Sequence, residues 1–206
     1  MAGSLRAAAA ILAATFLLAA CQPSSPVQTT PTSSSSSPVA TPTPTFMCTP
    51  EAGGEASPCS QAQYDEMKAK DALYAEAEAV YRAYWAEVIR IMRAGGTREP
   101  TEVLLRTTTG FHQDDVMESL GELLEDGLRA KGDDPKIGWV KRLPGQTKEG
   151  SVVAISTCVD ARGWGFYRQG QLVTPGRVGI DDLYFTKVDG SLRIMGADGE
   201  EAATCE

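Results

Sequence analysis

The residues that could carry acid–base chemistry are few and lie far apart in the chain. His112 is the only histidine, and a reference pKa near 6.5 makes histidine a natural proton carrier. It stands in "GFHQDD", just ahead of a helix that we expect to begin at or near Asp114. That position predicts a loop or capping residue. No Gly-x-Ser-x-Gly elbow or other nucleophile pattern accompanies it. The alternative that His112 has no catalytic role therefore stays open.

Carboxylates are the other candidates. Asp160 ends the strand pattern "STCVD", and Asp181 and Asp182 precede "LYF". An aspartate enclosed in a fold has a raised pKa and can act as a base. Alternation along a strand sends only one of the adjacent pair toward the interior. Equally, Asp160 can cap a turn and the pair can be solvated. We therefore assign no catalytic residue and keep Asp160, Tyr84 and His112 as candidates.

Aromatic and acidic side chains form two further patterns. The aromatic set can line a pocket or simply fill a core, and it comprises Tyr74, Tyr81, Tyr84, Trp85 and Trp139. The acidic set can be a solvated helix face or can meet a basic partner, and it comprises Asp115, Glu118, Glu122, Glu125 and Asp126. "GWGFYR" lacks the third glycine and the following helix of a dinucleotide loop. We expect no cofactor.

Five cysteines divide into one near the start and four others. In an oxidising compartment an even number of cysteines indicates disulfides, and four allow three pairings. We favour Cys48–Cys59, which are close in sequence, and Cys158–Cys205, which would tie a strand to the last residues. Zinc is the alternative, but no Cys-x-x-Cys occurs and histidine occurs once. We expect no metal site.

Residues 1–20 have the pattern of an export signal. Arg6 precedes an uncharged run from Ala7 to Ala20, which ends in small residues. As a helix that run would span about 21 Å at about 1.5 Å per residue, which is too short for a bilayer core of about 30 Å. Leu18-Ala19-Ala20-Cys21 resembles the lipobox of bacterial lipoproteins. The resemblance implies a signal peptide cleaved before Cys21, a thioether-linked diacylglycerol on that cysteine, and in some bacteria an acyl chain such as palmitate on its amine. A secreted protein with a chance cysteine at this position is the alternative.

Charge and lipid together define the expected partners. Arg6 is the only charged side chain in residues 1–20, so the chain without them has 18 basic and 27 acidic residues and a net charge of −9. Such a chain repels phosphates and anionic headgroups. We therefore expect no nucleic acid partner, and a membrane attachment through two acyl chains rather than through charge. The expected location is the cell membrane, lipid-anchored on its extracytoplasmic side.

Composition divides the exported chain into three parts. From Gln22 to Thr45, 19 of 24 residues are Ser, Thr or Pro, which cannot bury enough apolar surface to offset the entropy of ordering. We predict a lipidated, disordered tether over residues 21–47, which can be bare or O-glycosylated. A disulfide-closed lead-in follows at 48–59, and a folded domain occupies 60–206.

Periodicity in residues 60–206 changes from helical to strand-like. Ser60 and Gln63 form a capping box before a helix that Gly95-Gly96 ends. Pro100 should open a short second helix, and a third should run from about Asp114 to Gly132 with an apolar stripe from Val116 to Leu128. After Pro135, runs rich in β-branched residues alternate with turns, and Asp189-Gly190 predicts a two-residue hairpin. Helices first and hairpin-linked strands afterwards predict an α+β domain, with helices on one face of a curved antiparallel sheet.

This order resembles the NTF2-like superfamily, through "AEAVYRAYW" in the first helix, the "STCVD" strand and the closing "DGSLRI" hairpin. It also resembles uncharacterised lipoproteins of high-GC Gram-positive bacteria. The resemblance covers about Tyr64 to Met195 and implies a cone-shaped fold. Members of the superfamily include enzymes, ligand binders and interaction domains, so the fold leaves function open. We expect a binding or interaction module with a protein or cell-envelope partner. The alternative is a small-molecule binder or acid–base enzyme of isomerase or hydratase type, which uses the cone pocket.

Overall fold

The computed structural model describes residues 45–206, which form an α+β fold. The predicted signal peptide, Cys21 and nearly all of the predicted tether lie outside the described residues. The helices are α1 (Gln61–Ala94), α2 (Glu102–Thr107) and α3 (Gly110–Glu125). The strands are β1 (Phe46–Cys48), β2 (Ser57–Cys59), β3 (Arg129–Gly132), β4 (Lys136–Arg142), β5 (Val153–Asp160), β6 (Trp164–Arg168), β7 (Gln171–Pro175), β8 (Val178–Val188) and β9 (Ser191–Ala202).

Helix α1 begins and ends where its sequence predicts. The Ser60 Oγ accepts the backbone N–H of Gln63 at 3.3 Å, and the Gln63 side chain accepts the N–H of Ser60 at 2.9 Å. These two bonds form the predicted capping box. At the other end Gly95 adopts φ 97° and donates its N–H to the carbonyl of Ile91. The helix therefore stops where a left-handed residue can satisfy its last carbonyls.

The second and third helices differ from the prediction. Thr101 caps α2 through its side chain, so Pro100 precedes the cap instead of opening the helix. Helix α3 begins at Gly110, four residues earlier than predicted. The reason is tertiary: the N–H of Thr109 donates to the carbonyl of Ile194 at 2.9 Å, and Thr108 forms an isolated bridge to the same residue. This bridge fixes the chain immediately before Gly110.

The predicted end of α3 at Gly132 is also wrong. The helix ends at Glu125, and Gly127 with φ 63° turns the chain. Residues 129–132 instead form β3, which pairs antiparallel with β6. The apolar run that suggested a longer helix therefore contributes its last residues to a sheet.

The strands form two larger sheets and a small hairpin. The four-stranded sheet has the order β4-β5-β8-β9, and the three-stranded sheet has the order β3-β6-β7. Strands β1 and β2 pair with each other. The turn between β8 and β9 is the predicted hairpin, with positive φ at Asp189 (51°) and Gly190 (80°). This geometry matches the twist of the flanking strands.

The hydrophobic core lies between α1, α2, α3 and one face of the four-stranded sheet. Ala77, Tyr81, Tyr84 and Val88 of the predicted α1 stripe are buried. On the sheet, Ile155, Leu183, Phe185 and Ile194 pack in the same cluster as the helix residues. Because side chains alternate along a strand, these residues define which face of the sheet looks toward the helices.

Both predicted disulfides are present. Cys48 and Cys59 join β1 to β2, and Cys158 in β5 bonds Cys205 near the C-terminus. Gly138 makes room for the second bond, because a Cβ at that position would lie 2.6 Å from the Cβ of Cys205. The described helices of residues 45–206 include none that is both long and apolar enough to cross a membrane.

Candidate functional site

Two of the three candidate residues meet in the interior. Tyr84 on α1 and His112 on α3 are both 8% exposed, and their ring centroids lie 5.4 Å apart. His112 was predicted in a loop or cap; it occupies the first turns of α3 because that helix begins at Gly110. Burial lowers the pKa of His112, and the nearby Asp115 carboxylate partly opposes this effect. The imidazole is therefore held in its neutral form at neutral pH.

The third candidate, Asp160, lies elsewhere. Its carboxylate accepts two bonds from the Arg162 guanidinium, at 3.0 and 2.6 Å, and one from the Arg162 backbone N–H. These bonds lower the pKa of Asp160 to about 2. Of the two alternatives kept for Asp160, the structure shows the turn cap, because the residue ends β5 and its carboxylate accepts the backbone N–H of Arg162.

Asp181 is a half-buried carboxylate on the helix-facing side of the sheet. In the sheet it stands beside Thr157 on β5 and Gly199 on β9, with the same parity as the core residues Leu183 and Phe185. A Cβ on Gly199 would lie 2.6 Å from the Asp181 Oδ1, so the carboxylate occupies space that glycine leaves free. Burial, and then the charge of Asp182, raises the pKa of Asp181.

Two tyrosines of α1 face this carboxylate. Burial raises the pKa of Tyr81 to about 12, with the Thr157 hydroxyl opposing and the Asp181 charge adding to the rise. Burial also raises the pKa of Tyr84, and the charge of Asp181 raises it further. Asp181, Tyr81 and Tyr84 are thus within electrostatic reach of one another. A protonated Asp181 could donate, and an ionised one could accept, a proton at this place.

A cleft of about 200 Å³ between α1 and α3 is lined in part by Tyr84. Its walls are aromatic and apolar, and Asp115 and Ser119 are its exposed polar residues. The full lining comprises Tyr84, Trp85, Val88, Met92, His112, Asp115, Val116, Ser119 and Leu120. The predicted aromatic stripe therefore divides: Tyr74 and Tyr81 belong to the core, whereas Tyr84 and Trp85 also border the cleft. Trp139 lies apart, under the Lys141 ammonium at 4.1 Å.

The outer face of α3 carries the predicted acidic set. Its members are exposed, and Phe111, which sequence reasoning did not single out, is 84% exposed at the start of the same helix. Residues 111, 115, 118, 122 and 125 recur at spacings of four and three, so they form one stripe along the helix. Glu125 pairs with Arg98 at 2.9 Å, and Asp126 with Arg168 at 3.3 Å. Within residues 45–206, Asp115, Glu118 and Glu122 have no lysine or arginine within 4.0 Å.

Comparison with known proteins identifies no family. No protein-family model and no curated protein sequence matches the chain. The crystal structure of the intermembrane space region of the chloroplast protein ARC6 matches over 62% of this chain and 95% of its own, at 13% identity and a TM-score of 0.41. The solution structure of a de novo β-sheet design matches over 62% of this chain and 92% of its own, at 14% identity and a TM-score of 0.33.

Proposed function

We propose that this protein is a lipoprotein that Cys21 anchors at the extracytoplasmic face of the cell membrane. Its NTF2-like domain, at residues 60–206, acts there as a binding module and not as an enzyme. The lipobox pattern supports the anchor, and the two disulfides fit an oxidising compartment. The tether at 21–47 would hold the domain away from the lipid surface.

The exposed stripe of α3 carries the proposal of a binding module. We name it the α3 stripe and define it by Phe111, Asp115, Glu118, Glu122 and Glu125. Phe111 is 84% exposed, and burying its ring in a pocket on a partner would remove a large apolar surface from water. Aromatic residues of this kind are frequent anchors at protein interfaces. The carboxylates beside it would steer a partner of opposite charge and set its orientation.

The partner that would fit the α3 stripe is a basic protein of the cell envelope, with an apolar pocket for Phe111 and lysine or arginine side chains beside that pocket. The unpaired carboxylates Asp115, Glu118 and Glu122 offer three charges that the domain itself leaves without a counterion. Anionic polymers and nucleic acid would be repelled by the same charges. The stripe therefore selects for positive charge as well as for an apolar pocket.

A photo-crosslinking amino acid at position 118, in cells that make the full chain, tests this surface. We expect covalent capture of one basic envelope protein. Phe111→Ser should lower the yield at least about tenfold, since interface anchors contribute about 2 kcal/mol or more. A matched charge control is Glu149→Lys, in the loop after β4, which should leave capture unchanged. Equal capture with Phe111→Ser would show that the α3 stripe is not the binding surface.

Cys21→Ser tests the anchor independently. The variant should leave the membrane fraction or accumulate as an unprocessed chain, because a single serine cannot carry the diacylglycerol. Detergent-phase partitioning measures this directly. If the variant partitions like the unmodified chain, the lipid anchor is refuted, whatever the crosslinking shows.

The half-buried Asp181 carboxylate favours one second candidate function, an acid–base enzyme of isomerase or hydratase type. Asp181, with its raised pKa, would be the base and Tyr84 the hydrogen-bond donor. Any turnover found in a screen of enolisable ketones should then be lost in Asp181→Asn and kept in Asp160→Asn. Retention of turnover in Asp181→Asn would exclude this mechanism.

A further inference from the structure

The cleft between α1 and α3 has features that packing alone does not require. Its volume of about 200 Å³ exceeds the roughly 150 Å³ of an engineered apolar cavity that holds benzene. It therefore has room for one six-membered ring with one or two small substituents. Three of its lining side chains, Tyr84, Trp85 and His112, have flat faces, which suit a flat molecule.

Two of these side chains carry a buried nitrogen without a protein partner. Within residues 45–206, neither Trp85 Nε1 nor His112 Nε2 forms a hydrogen bond to another protein group. Buried polar atoms are nearly always paired, because leaving one unpaired costs about 1–3 kcal/mol. An indole N–H can only donate, whereas the ring nitrogens of a neutral histidine offer one donor and one acceptor. A ligand group that pairs with the Trp85 N–H must therefore be a hydrogen-bond acceptor.

The charges around the cleft restrict the ligand further. Asp115 is the only charged side chain in the lining, so an anion would meet repulsion and no cation. The His112 ring is neutral because burial lowers its pKa. The remaining walls, Val88, Met92, Val116 and Leu120, are apolar. Because moving a charge of either sign out of water against apolar walls is costly, these walls favour an uncharged ligand.

We propose that the α1–α3 cleft binds a small, uncharged aromatic molecule with an acceptor oxygen, of the phenol or aryl ketone class. The ring lies against the aromatic and apolar walls. The oxygen accepts the Trp85 N–H, and the imidazole of His112 lies at the same end of the ligand. The site shares Asp115 with the α3 stripe, but Phe111, the proposed anchor of that stripe, does not line the cleft. Binding in the cleft does not depend on the proposed partner.

The test uses the full chain in lipid nanodiscs, titrated with phenol and with acetophenone. His112 is the only histidine, so its ring gives a single Cε1–Hε1 signal in ¹H–¹³C NMR spectra. We expect that signal to shift saturably with both probes, and to shift far less with benzoate. Trp85→Phe keeps a flat wall but removes the donor, and should weaken binding about threefold to tenfold, as expected for one neutral hydrogen bond.

A blocking variant and a control keep the test decisive. Ser119 is exposed on the rim, so Ser119→Trp should fill the cleft without disturbing the core and abolish the shift. Trp139→Phe, on β4 and outside the cleft, should bind as the unmodified chain does. Phe111→Ser should also bind the probes normally, which separates this site from the proposed partner surface. No saturable shift of the His112 signal up to the solubility limit of either probe would overturn the proposal. So would unchanged affinity in both Trp85→Phe and Ser119→Trp.

Discussion

Two tyrosines on the same face of α1 should respond oppositely to loss of the hydroxyl. Tyr81 is 2% exposed, and within residues 45–206 no group stands in hydrogen-bonding geometry to its hydroxyl, although the Thr157 hydroxyl is close enough to oppose the rise of its pKa. The neighbouring Thr157 hydroxyl instead donates to the Asp181 carbonyl at 3.4 Å. Tyr74 is 7% exposed, and its hydroxyl donates to the Glu51 carboxylate at 2.6 Å. Replacing tyrosine by phenylalanine therefore removes an unpaired buried hydroxyl at position 81 and a hydrogen bond at position 74.

The magnitudes follow from these contacts. Leaving a buried hydroxyl unpaired costs about 1–3 kcal/mol, so Tyr81→Phe should raise the free energy of unfolding by about 1 kcal/mol. A hydrogen bond to a charged group contributes about 1.5–3 kcal/mol. Glu51 retains Lys70 as a partner at 3.1 Å and its side chain is 31% exposed, so we take the lower limit for Tyr74→Phe, a loss of about 1.5 kcal/mol. The two variants should differ by about 2.5 kcal/mol.

Urea denaturation of the two variants and the unmodified chain, followed by far-ultraviolet circular dichroism, measures this difference. The dependence on urea concentration should stay the same, because neither change alters the surface exposed on unfolding. In a thermal scan the difference corresponds to about 5–10 °C, at about 2–4 °C per kcal/mol for a domain of this size. A loss of stability in Tyr81→Phe that matches Tyr74→Phe would refute the reasoning, since it would mean that the Tyr81 hydroxyl is satisfied in the folded state.

Three further predictions concern other sites. Gly138→Ala should hinder the Cys158–Cys205 disulfide, because the new Cβ would lie 2.6 Å from the Cβ of Cys205. Alkylation followed by mass spectrometry should then detect free thiols. Complete oxidation with unchanged thermal stability would contradict this prediction. The pKa of His112 is lowered in the folded state, so its stabilising contribution is present above about pH 6.5 and is lost as the pH falls through the lowered value. His112→Gln should therefore flatten the dependence of the unfolding free energy on pH below about pH 6.5. An unchanged slope would count against burial as the cause of the lowered pKa. The pKa of Asp181 is raised in the folded state, so its contribution to the stability of the fold is fully present below its unfolded pKa of about 3.8 and is lost as the pH rises through the folded value. Asp181→Asn should therefore stabilise the protein more at about pH 7 than at about pH 4. The reverse order would be incompatible with a carboxylate whose pKa is raised by burial.

Features specified within a few residues of one another could be predicted from the sequence. The Ser60–Gln63 capping box, the Gly95 helix end and the Asp189-Gly190 turn each involve groups that are close in the chain, so their geometry needs no knowledge of the rest of the fold. The change from helical to strand-like periodicity predicted the α+β class for the same reason. The two disulfides were predicted from their number and position, and both are present.

Features set by contacts between distant segments could not be predicted. The bridge between Thr108 and Ile194 moves the start of α3 to Gly110, and that shift buries His112 beside Tyr84. Strand β3 exists because β6 pairs with it, although its sequence continues a helical pattern. Neither Thr108 nor residues 129–132 carry a local signal of these partners.

The candidate site shows the same division. The sequence alone put forward Asp160, Tyr84 and His112 as candidates, and it predicted that one of the adjacent Asp181 and Asp182 should face the interior. Only the tertiary structure decided that partial burial raises the pKa of Asp181, whereas a bond from Arg162 lowers that of Asp160. Burial decides the pKa of a carboxylate, and burial depends on which distant strands and helices cover it. The type of each residue is given by the sequence, whereas its exposure to water is set by the packing of the whole fold.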